Sequence, residues 1–162
     1  MYLALGSNLG DRQAYLLSAV DGLSRRGIQV IRSASLYSTE PQNMSAGHPW
    51  FLNTVVEVNT LLRPEKLLET CLAVEEENFR KRTSGKESRT LDIDIILYGD
   101  RIVKTPGLTI PHPEFRNRRF VLAPLVEIAP SVVDPVTGKT VRELFERVND
   151  PGMVQRFGAP LR

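Results

Sequence analysis

Apolar positions along the chain change period several times, and each change marks an element. Residues 2–5 form a short apolar run that stops at Gly6-Ser7-Asn8-Leu9-Gly10, which reads as a strand and a tight turn. Leu16, Leu17, Val20 and Leu23 then recur at helical spacing up to Gly27, a helix stop. Residues 28–37, with Val30 and Ile31, read as a second strand. A Pro/Asn/Ser/Gly-rich loop covers 40–49, and residues 51–61, with Val55, Val56 and Val58, read as a third strand. Pro64 suits a first helical turn, and Leu67, Leu68, Cys71, Leu72 and Val74 carry that helix into a run of glutamates. Residues 80–89 are a charged loop, and 91–98 a fourth strand closed by Gly99-Asp100.

That order, β-α-β-β-α-β, predicts an α+β fold of the ferredoxin-like sandwich type, with an antiparallel sheet. Beyond residue 100 the pattern predicts extra C-terminal helices at 119–128, before Pro130, and at 141–148. Asp134-Pro135-Val136-Thr137-Gly138 reads as a turn between them. No internal repeat or low-complexity tract interrupts the chain.

Composition narrows the class. The 162 residues, 41% of them apolar and 25% charged, fit one globular domain over 1–162 and exclude disordered, collagenous and disulfide-scaffold chains. The formal net charge of +2 does not point to a bulk nucleic-acid or membrane binder. The charge clusters instead: Arg80, Lys81, Arg82, Lys86 and Arg89 in one stretch, Arg116, Arg118 and Arg119 in another. Either could be a solvated face or an anion-binding wall. A lone cysteine, Cys71, rules out an intramolecular disulfide and sits at helical spacing among leucines as a buried hydrophobe. Without a basic leader or a run of roughly 20 apolar residues, a soluble cytoplasmic protein is the expectation.

Candidate chemistry concentrates in Leu91-Asp92-Ile93-Asp94-Ile95. In a strand, Leu91, Ile93, Ile95 and Leu97 share a core face, while Asp92 and Asp94 share the other, about 7 Å apart. Such a carboxylate pair suits a hard cation such as Mg²⁺ held together with substrate phosphates, or a surface ion pair with a base such as Arg89. Gly6-Ser7-Asn8-Leu9-Gly10 could present backbone N–H groups to phosphate, but it fails the nucleotide-loop fingerprints and reads better as a plain turn. Gly138-Lys139-Thr140 lacks the upstream glycine of a phosphate-binding loop, Val133 standing in its place. His112, held between two prolines and close to Arg116, suits stabilisation of phosphoryl charge or a hydrogen-bonded loop. Phe51 and Asn53 share a strand face and, with Phe120, could stack on and read a flat heterocycle; core packing is the alternative for both rings.

Taken together, these residues make the chain resemble the 6-hydroxymethyl-7,8-dihydropterin pyrophosphokinases of folate biosynthesis. Four segments carry the likeness: residues 4–10 (Ala-Leu-Gly-Ser-Asn-Leu-Gly), Phe51-Leu52-Asn53, Arg89-Thr90-Leu91-Asp92-Ile93-Asp94-Ile95, and residues 110–120 from Ile-Pro-His-Pro to Asn-Arg-Arg-Phe. The resemblance implies that the pterin hydroxymethyl oxygen attacks the β-phosphorus of ATP and AMP leaves. It implies two Mg²⁺ ions at Asp92 and Asp94. Phe51 and Phe120 would stack on the two pterin faces, Asn53 would read the pterin edge, and Thr39 would lie near its backbone contacts. Glu75, Arg80, Arg82 and Arg89 would line the nucleotide and its phosphates, with His112 and Arg118 on the triphosphate side. The expected partners are ATP and the pterin, with no nucleic acid and no membrane, and the expected working unit is a monomer.

Three features depart from the family pattern. The stretch Ser84-Gly85-Lys86-Glu87-Ser88 is one residue shorter than the family's and lacks its tryptophan, and Pro113 stands where an aromatic often follows the histidine. The loops at 40–49 and 80–89 lack apolar anchors and are expected to be mobile without substrate. From the residues alone, two alternatives stay open. One is an RNA-binding module on the same architecture, although its glycine-aromatic signature strand is absent. The other is a metal-dependent phosphohydrolase using Asp92 and Asp94, which would leave Phe51, Asn53 and Phe120 without a ligand.

Overall fold

The computed structural model describes residues 1–41, 47–79 and 90–162. In chain order the elements are β1 (Tyr2–Ser7), α1 (Arg12–Arg25), β2 (Gln29–Ser33), β3 (Leu36–Thr39), β4 (Phe51–Asn59), α2 (Pro64–Glu77), β5 (Asp92–Leu97), β6 (Val103–Thr105), β7 (Leu108–Ile110), α3 (Arg119–Ile128), α4 (Val141–Arg147) and β8 (Val154–Gly158), with a 3-10 turn at Phe115–Asn117 before α3. The main sheet is antiparallel and runs β5-β1-β4-β3-β8, with β2 also paired to β4.

Local chemistry accounts for the helix ends. The Asp11 carboxylate accepts the Ala14 N–H at 3.1 Å and starts α1. Pro64 opens α2, its missing N–H costing nothing in a first turn. Thr140 and Glu143 form a reciprocal capping box on α4. One face of the sheet buries Leu3, Leu5, Ile93 and Ile95 against Leu16, Val20 and Leu23 of α1 and Leu67, Cys71 and Val74 of α2. Burial pushes the Cys71 thiol up to about 12, so it behaves as the small hydrophobe the pattern suggested.

Among the described residues, the second face is covered at one end only. There Tyr2, Val55, Ile96 and Leu97 pack under Phe115, Val121, Leu122, Leu125, Val141 and Leu144, so α3 and α4 roof that end. Gly6, Phe51, Asn53, Asp92 and Asp94 lie on this same face of their strands. Two buried clusters thus flank one sheet.

Three expectations need correction, and three further strands were not expected. The single strand expected at 28–37 breaks at Ala34-Ser35: Ala34 N–H still bonds the Val55 carbonyl of β4, but Ser35 N–H turns away to Glu127, and pairing with β4 resumes one residue out of register. The strand expected at 51–61 stops at Asn59, and the Thr60 hydroxyl bonds the Gly27 carbonyl instead. Leu97 does not share a face with Ile93 and Ile95: Tyr2 faces Leu97 and Leu3 faces Ile95, so β5 carries one extra residue and both Ile96 and Leu97 reach the second face. The short hairpin β6-β7 and the mostly exposed β8 had no hydrophobic period to announce them. The mobility expected of the loops at 40–49 and 80–89 concerns mainly residues 42–46 and 80–89, which lie outside the described residues.

The second arginine cluster is largely structural. The Arg116 guanidinium donates twice to Asp134, whose side chain is fully buried and also accepts from the Thr137 hydroxyl and the Val136 N–H. Burial alone would raise the Asp134 pKa; these donors outweigh it and hold the group down at about 2. The depressed value means that the contribution of Asp134 to stability is complete above its ordinary value of 3.8 and is lost as pH falls through about 2. Asp134→Asn should therefore cost about 3 kcal/mol of unfolding free energy at neutral pH, and should flatten the loss between pH 4 and 2, both measured by urea denaturation.

Candidate functional site

The uncovered part of the second sheet face is built row by row from the strand register. Asn53 of β4 and Asp92 of β5 both pair with Gly6 of β1, and Tyr37 of β3 pairs with Asn53 on the far side. One cross-strand row therefore reads Asp92, Gly6, Asn53, Tyr37. The neighbouring rows place Asp94 opposite Ala4, and Phe51 opposite Thr39. Both carboxylates stand beside residues with little or no side chain, which keeps the space above β1 open.

Gly6 has a specific steric reason to be glycine. A Cβ there would run into the amide oxygen of Asn53 and would touch the Phe51 ring at 3.6 Å. The Asn53 amide is buried, and its NH₂ donates to the Thr39 hydroxyl at 2.5 Å, which turns the amide oxygen towards the space above Gly6. Thr39 thus enters the site as the residue that orients Asn53. The turn after β1 fixes where β4 enters: the Asn8 amide donates to the Pro49 carbonyl at 3.1 Å and Arg12 donates to the Trp50 carbonyl at 2.9 Å. The glycine-flanked turn and the helix start after it thus support the entry of β4 at Phe51.

α3 supplies the second wall. It packs across β3 and β4, with Phe120 in its first turn half-buried against the second cluster. The Arg118 guanidinium sits 5.6 Å from the centre of the Phe120 ring. Arg119, by contrast, is committed to the Asp150 and Val148 carbonyls.

His112 follows a cis Ile110-Pro111 peptide and is pinned to the sheet edge, its N–H donating to the Ile96 carbonyl at 3.0 Å. Its Nδ1 accepts the Glu114 N–H at 3.1 Å, which leaves Nε2 as the protonated nitrogen of the neutral ring. Burial, reinforced by the Arg118 charge and only partly offset by Asp92 and Glu114, pushes the imidazole down to about 4. The neutral ring is therefore a hydrogen-bond donor at physiological pH. Glu75, in the last turns of α2, is almost fully buried, and its carboxylate accepts the Ile93 N–H at 2.7 Å, between the two aspartates. It is thereby brought to the strand that carries both acids.

The sequence-predicted residues Thr39, Phe51, Asn53, Asp92, Asp94, His112, Arg118 and Phe120 thus gather on one sheet face and its rim, with Glu75 reaching β5 from the helical side. Arg80, Arg82 and Arg89 lie outside the described residues. From the sequence Gly6 reads only as part of a turn, and neither Tyr37 nor Glu127 stands out. The signal for Gly6 was available, since a glycine inside a strand often marks a close approach; Tyr37 and Glu127 had none, because their contacts span about ninety residues.

The sequence profile of the 7,8-dihydro-6-hydroxymethylpterin-pyrophosphokinase family matches residues 2–130. The chain belongs to this family. A 2-amino-4-hydroxy-6-hydroxymethyldihydropteridine pyrophosphokinase of Methylorubrum extorquens is 41% identical over 156 residues, covering 96% of each chain. The folic acid synthesis protein fol1 of Pneumocystis carinii is 39% identical over 93% of this chain, which spans only 20% of that protein. A crystal structure of Plasmodium falciparum HPPK-DHPS superposes with a TM-score of 0.69 over 90% of this chain and 44% of that one; at 16% identity it speaks for the fold. The protein transfers pyrophosphate to the hydroxymethyl group of 6-hydroxymethyl-7,8-dihydropterin, a step of folate biosynthesis. The base-binding module and the phosphohydrolase fall away.

Two outcomes follow from this geometry. In the ligand-free protein, an NMR titration should find the His112 imidazole with a midpoint near 4, and unfolding free energy should decline as pH falls from about 6.5 towards that value, since the unfolded chain takes up the proton first. His112→Gln should remove that decline. Gly6→Ala should displace the Asn53 amide and raise the pterin KM by about tenfold or more, with the KM for ATP changed less than threefold; equal losses for both substrates would point to a distorted sheet.

Proposed function

We propose that the open sheet face seats the dihydropterin between Phe51 and Phe120, with Asn53 reading its edge, and that the hydroxymethyl oxygen attacks the β-phosphorus of ATP. A bond forms from that oxygen to the β-phosphorus, the bond from the β-phosphorus to the bridging oxygen breaks, AMP leaves with that oxygen, and the hydroxyl proton is released. The observation that carries this reading is the row Asp92, Gly6, Asn53. It sets an amide that can read a heterocycle about 10 Å, two strand spacings, from a carboxylate suited to the phosphate side.

The donor set fits Mg²⁺. Asp92 and Asp94 offer hard oxygen ligands on one face of β5. That supports a cation shared between two carboxylates and substrate phosphates, with two ions expected from the family resemblance. When bound, Mg²⁺ neutralises phosphate charge and aligns the reacting oxygens. The chain's own residues do the remaining work. His112 offers a neutral N–H donor and Arg118 a fixed positive charge, both suited to charge that builds on phosphoryl oxygens. Thr39 orients Asn53. Glu75 holds the strand bearing both aspartates and lines the nucleotide, and Arg80, Arg82 and Arg89 are assigned to the phosphates by resemblance.

The fold reading is of the same kind. With β2 and β3 taken as two halves of one broken strand, the path β5-β1-β4-β3 supports the ferredoxin-like arrangement, and two clusters on one sheet support a single domain over 1–162. The working unit is taken as a cytoplasmic monomer; among the described residues no helix is long and apolar enough to cross a membrane.

Incubation with Mg-ATP, with and without the dihydropterin, should yield AMP only when the pterin is present. Pterin-dependent ADP would contradict the reaction. Asp92→Asn and Asp94→Asn should each lower turnover about a hundredfold or more at saturating magnesium, with unchanged far-ultraviolet circular dichroism. Near-normal turnover in both would remove the carboxylates from the metal role.

A further inference from the structure

The carboxylate of Glu127 makes an unusual set of contacts for an exposed group. One oxygen accepts both the Ser35 N–H, at 3.0 Å, and the Ser35 hydroxyl, at 2.8 Å. The other accepts the Tyr37 hydroxyl at 2.5 Å. Both partners lie at and just beyond the break between β2 and β3, and Tyr37 pairs with Asn53. Glu127 therefore ties the far end of α3 to the strand neighbouring the heterocycle-reading amide. The other charged group facing it is Arg156 of β8, in register with Tyr37.

Phe120 and Glu127 are seven residues apart on α3, two helical turns, and so lie on the same side of it, about 10 Å apart along the axis. Pro124 lies between them and has no N–H to give to the Phe120 carbonyl. The first turn of α3 is thus less firmly held by the helix's own hydrogen bonds. Besides the buried packing of Val121, Leu122 and Leu125, polar contacts fix both ends of α3: Asp150 accepts the Arg119 N–H at 2.9 Å at the near end, and Glu127 holds Ser35 and Tyr37 at the far end.

We propose that Glu127 is a positioning residue that sets the width of the pterin slot, holding α3 and its Phe120 at a fixed height above Phe51 and Asn53. The inference rests on the slot proposed above. Tyr37 serves the same purpose, since its ring spans from the sheet to α3 beside Asn53. Ser35 is fully buried, so loss of Glu127 also leaves its N–H and hydroxyl without their acceptor and lowers stability; the positioning role is read from the pterin KM, which a loss of stability alone does not move.

Steady-state kinetics on Glu127→Ala, Tyr37→Phe, Glu127→Gln, Phe120→Ala and the double variant Glu127→Ala/Phe120→Ala test this. Glu127→Ala should raise the pterin KM about tenfold with the ATP KM within twofold, and Tyr37→Phe about threefold. Glu127→Gln keeps an acceptor for Ser35 and should restore most of the affinity. In the double variant, the Glu127 change should add almost nothing to the loss from Phe120→Ala, because it acts through that ring. Leu144→Ala, which opens a cavity under α4, serves as the control for stability: it should lower the Tm by several degrees and leave the pterin KM unchanged. An unchanged pterin KM in Glu127→Ala, or an effect fully additive with Phe120→Ala, would overturn the positioning role while leaving the slot standing. An unchanged pterin KM in Phe120→Ala would overturn the slot, and the inference with it.

Discussion

β1 runs antiparallel to both of its neighbours, and that register is the constraint on which the site depends. It sets Gly6 between Asn53 and Asp92 and Ala4 between Val55 and Asp94. Because side chains alternate across a sheet, one register choice commits Leu3 and Leu5 to the helical core and Gly6 and Ala4 to the site. A slip of one residue would send the leucines to the site face. The core thereby enforces the site geometry: the burial that stabilises β1 also keeps the space above it open.

The second wall is held differently. α3 reaches its place through contacts far apart in sequence: Arg116 on Asp134 before it, Asp150 at its first turn and Glu127 on Ser35 and Tyr37 at its last. The polar groups at the rim of the sheet face inherit their properties from their surroundings. His112 is a neutral donor because it is buried beside Arg118 with Nδ1 occupied by the Glu114 N–H. Glu75 is buried where its carboxylate accepts the Ile93 N–H, which ties α2 to the strand bearing Asp92 and Asp94.

The main elements were legible because each buries one face, and a buried face imposes a period. Helices at 12–25 and 64–77 and strands through residues 2–7, 51–59 and 92–97 all carried that signal. β6, β7 and β8 did not, being too short or too exposed to show alternation. The break at Ala34-Ser35 was hidden for another reason: it lies where the Ser35 N–H leaves the ladder for Glu127, ninety-two residues on, and not at a turn residue. The extra residue in β5 likewise follows from α3 and the 3-10 turn, which provide an apolar roof for both Ile96 and Leu97.

Chemical identity was local, and so the sequence by itself determined it. Two aspartates at strand spacing, an aromatic and an amide on one face, and a histidine between prolines are statements about neighbours along the chain. They sufficed for the family and its reaction. Only the tertiary structure decided how each group is held. It spent Arg116 and Arg119 on structural carboxylates and carbonyls, made Thr39 the partner that turns Asn53, required glycine at position 6 and gave Glu127 a grip on β3. Hydrogen bonds and steric contacts between residues tens of positions apart leave no period in the chain, so they become visible only once the sheet register has brought their partners together.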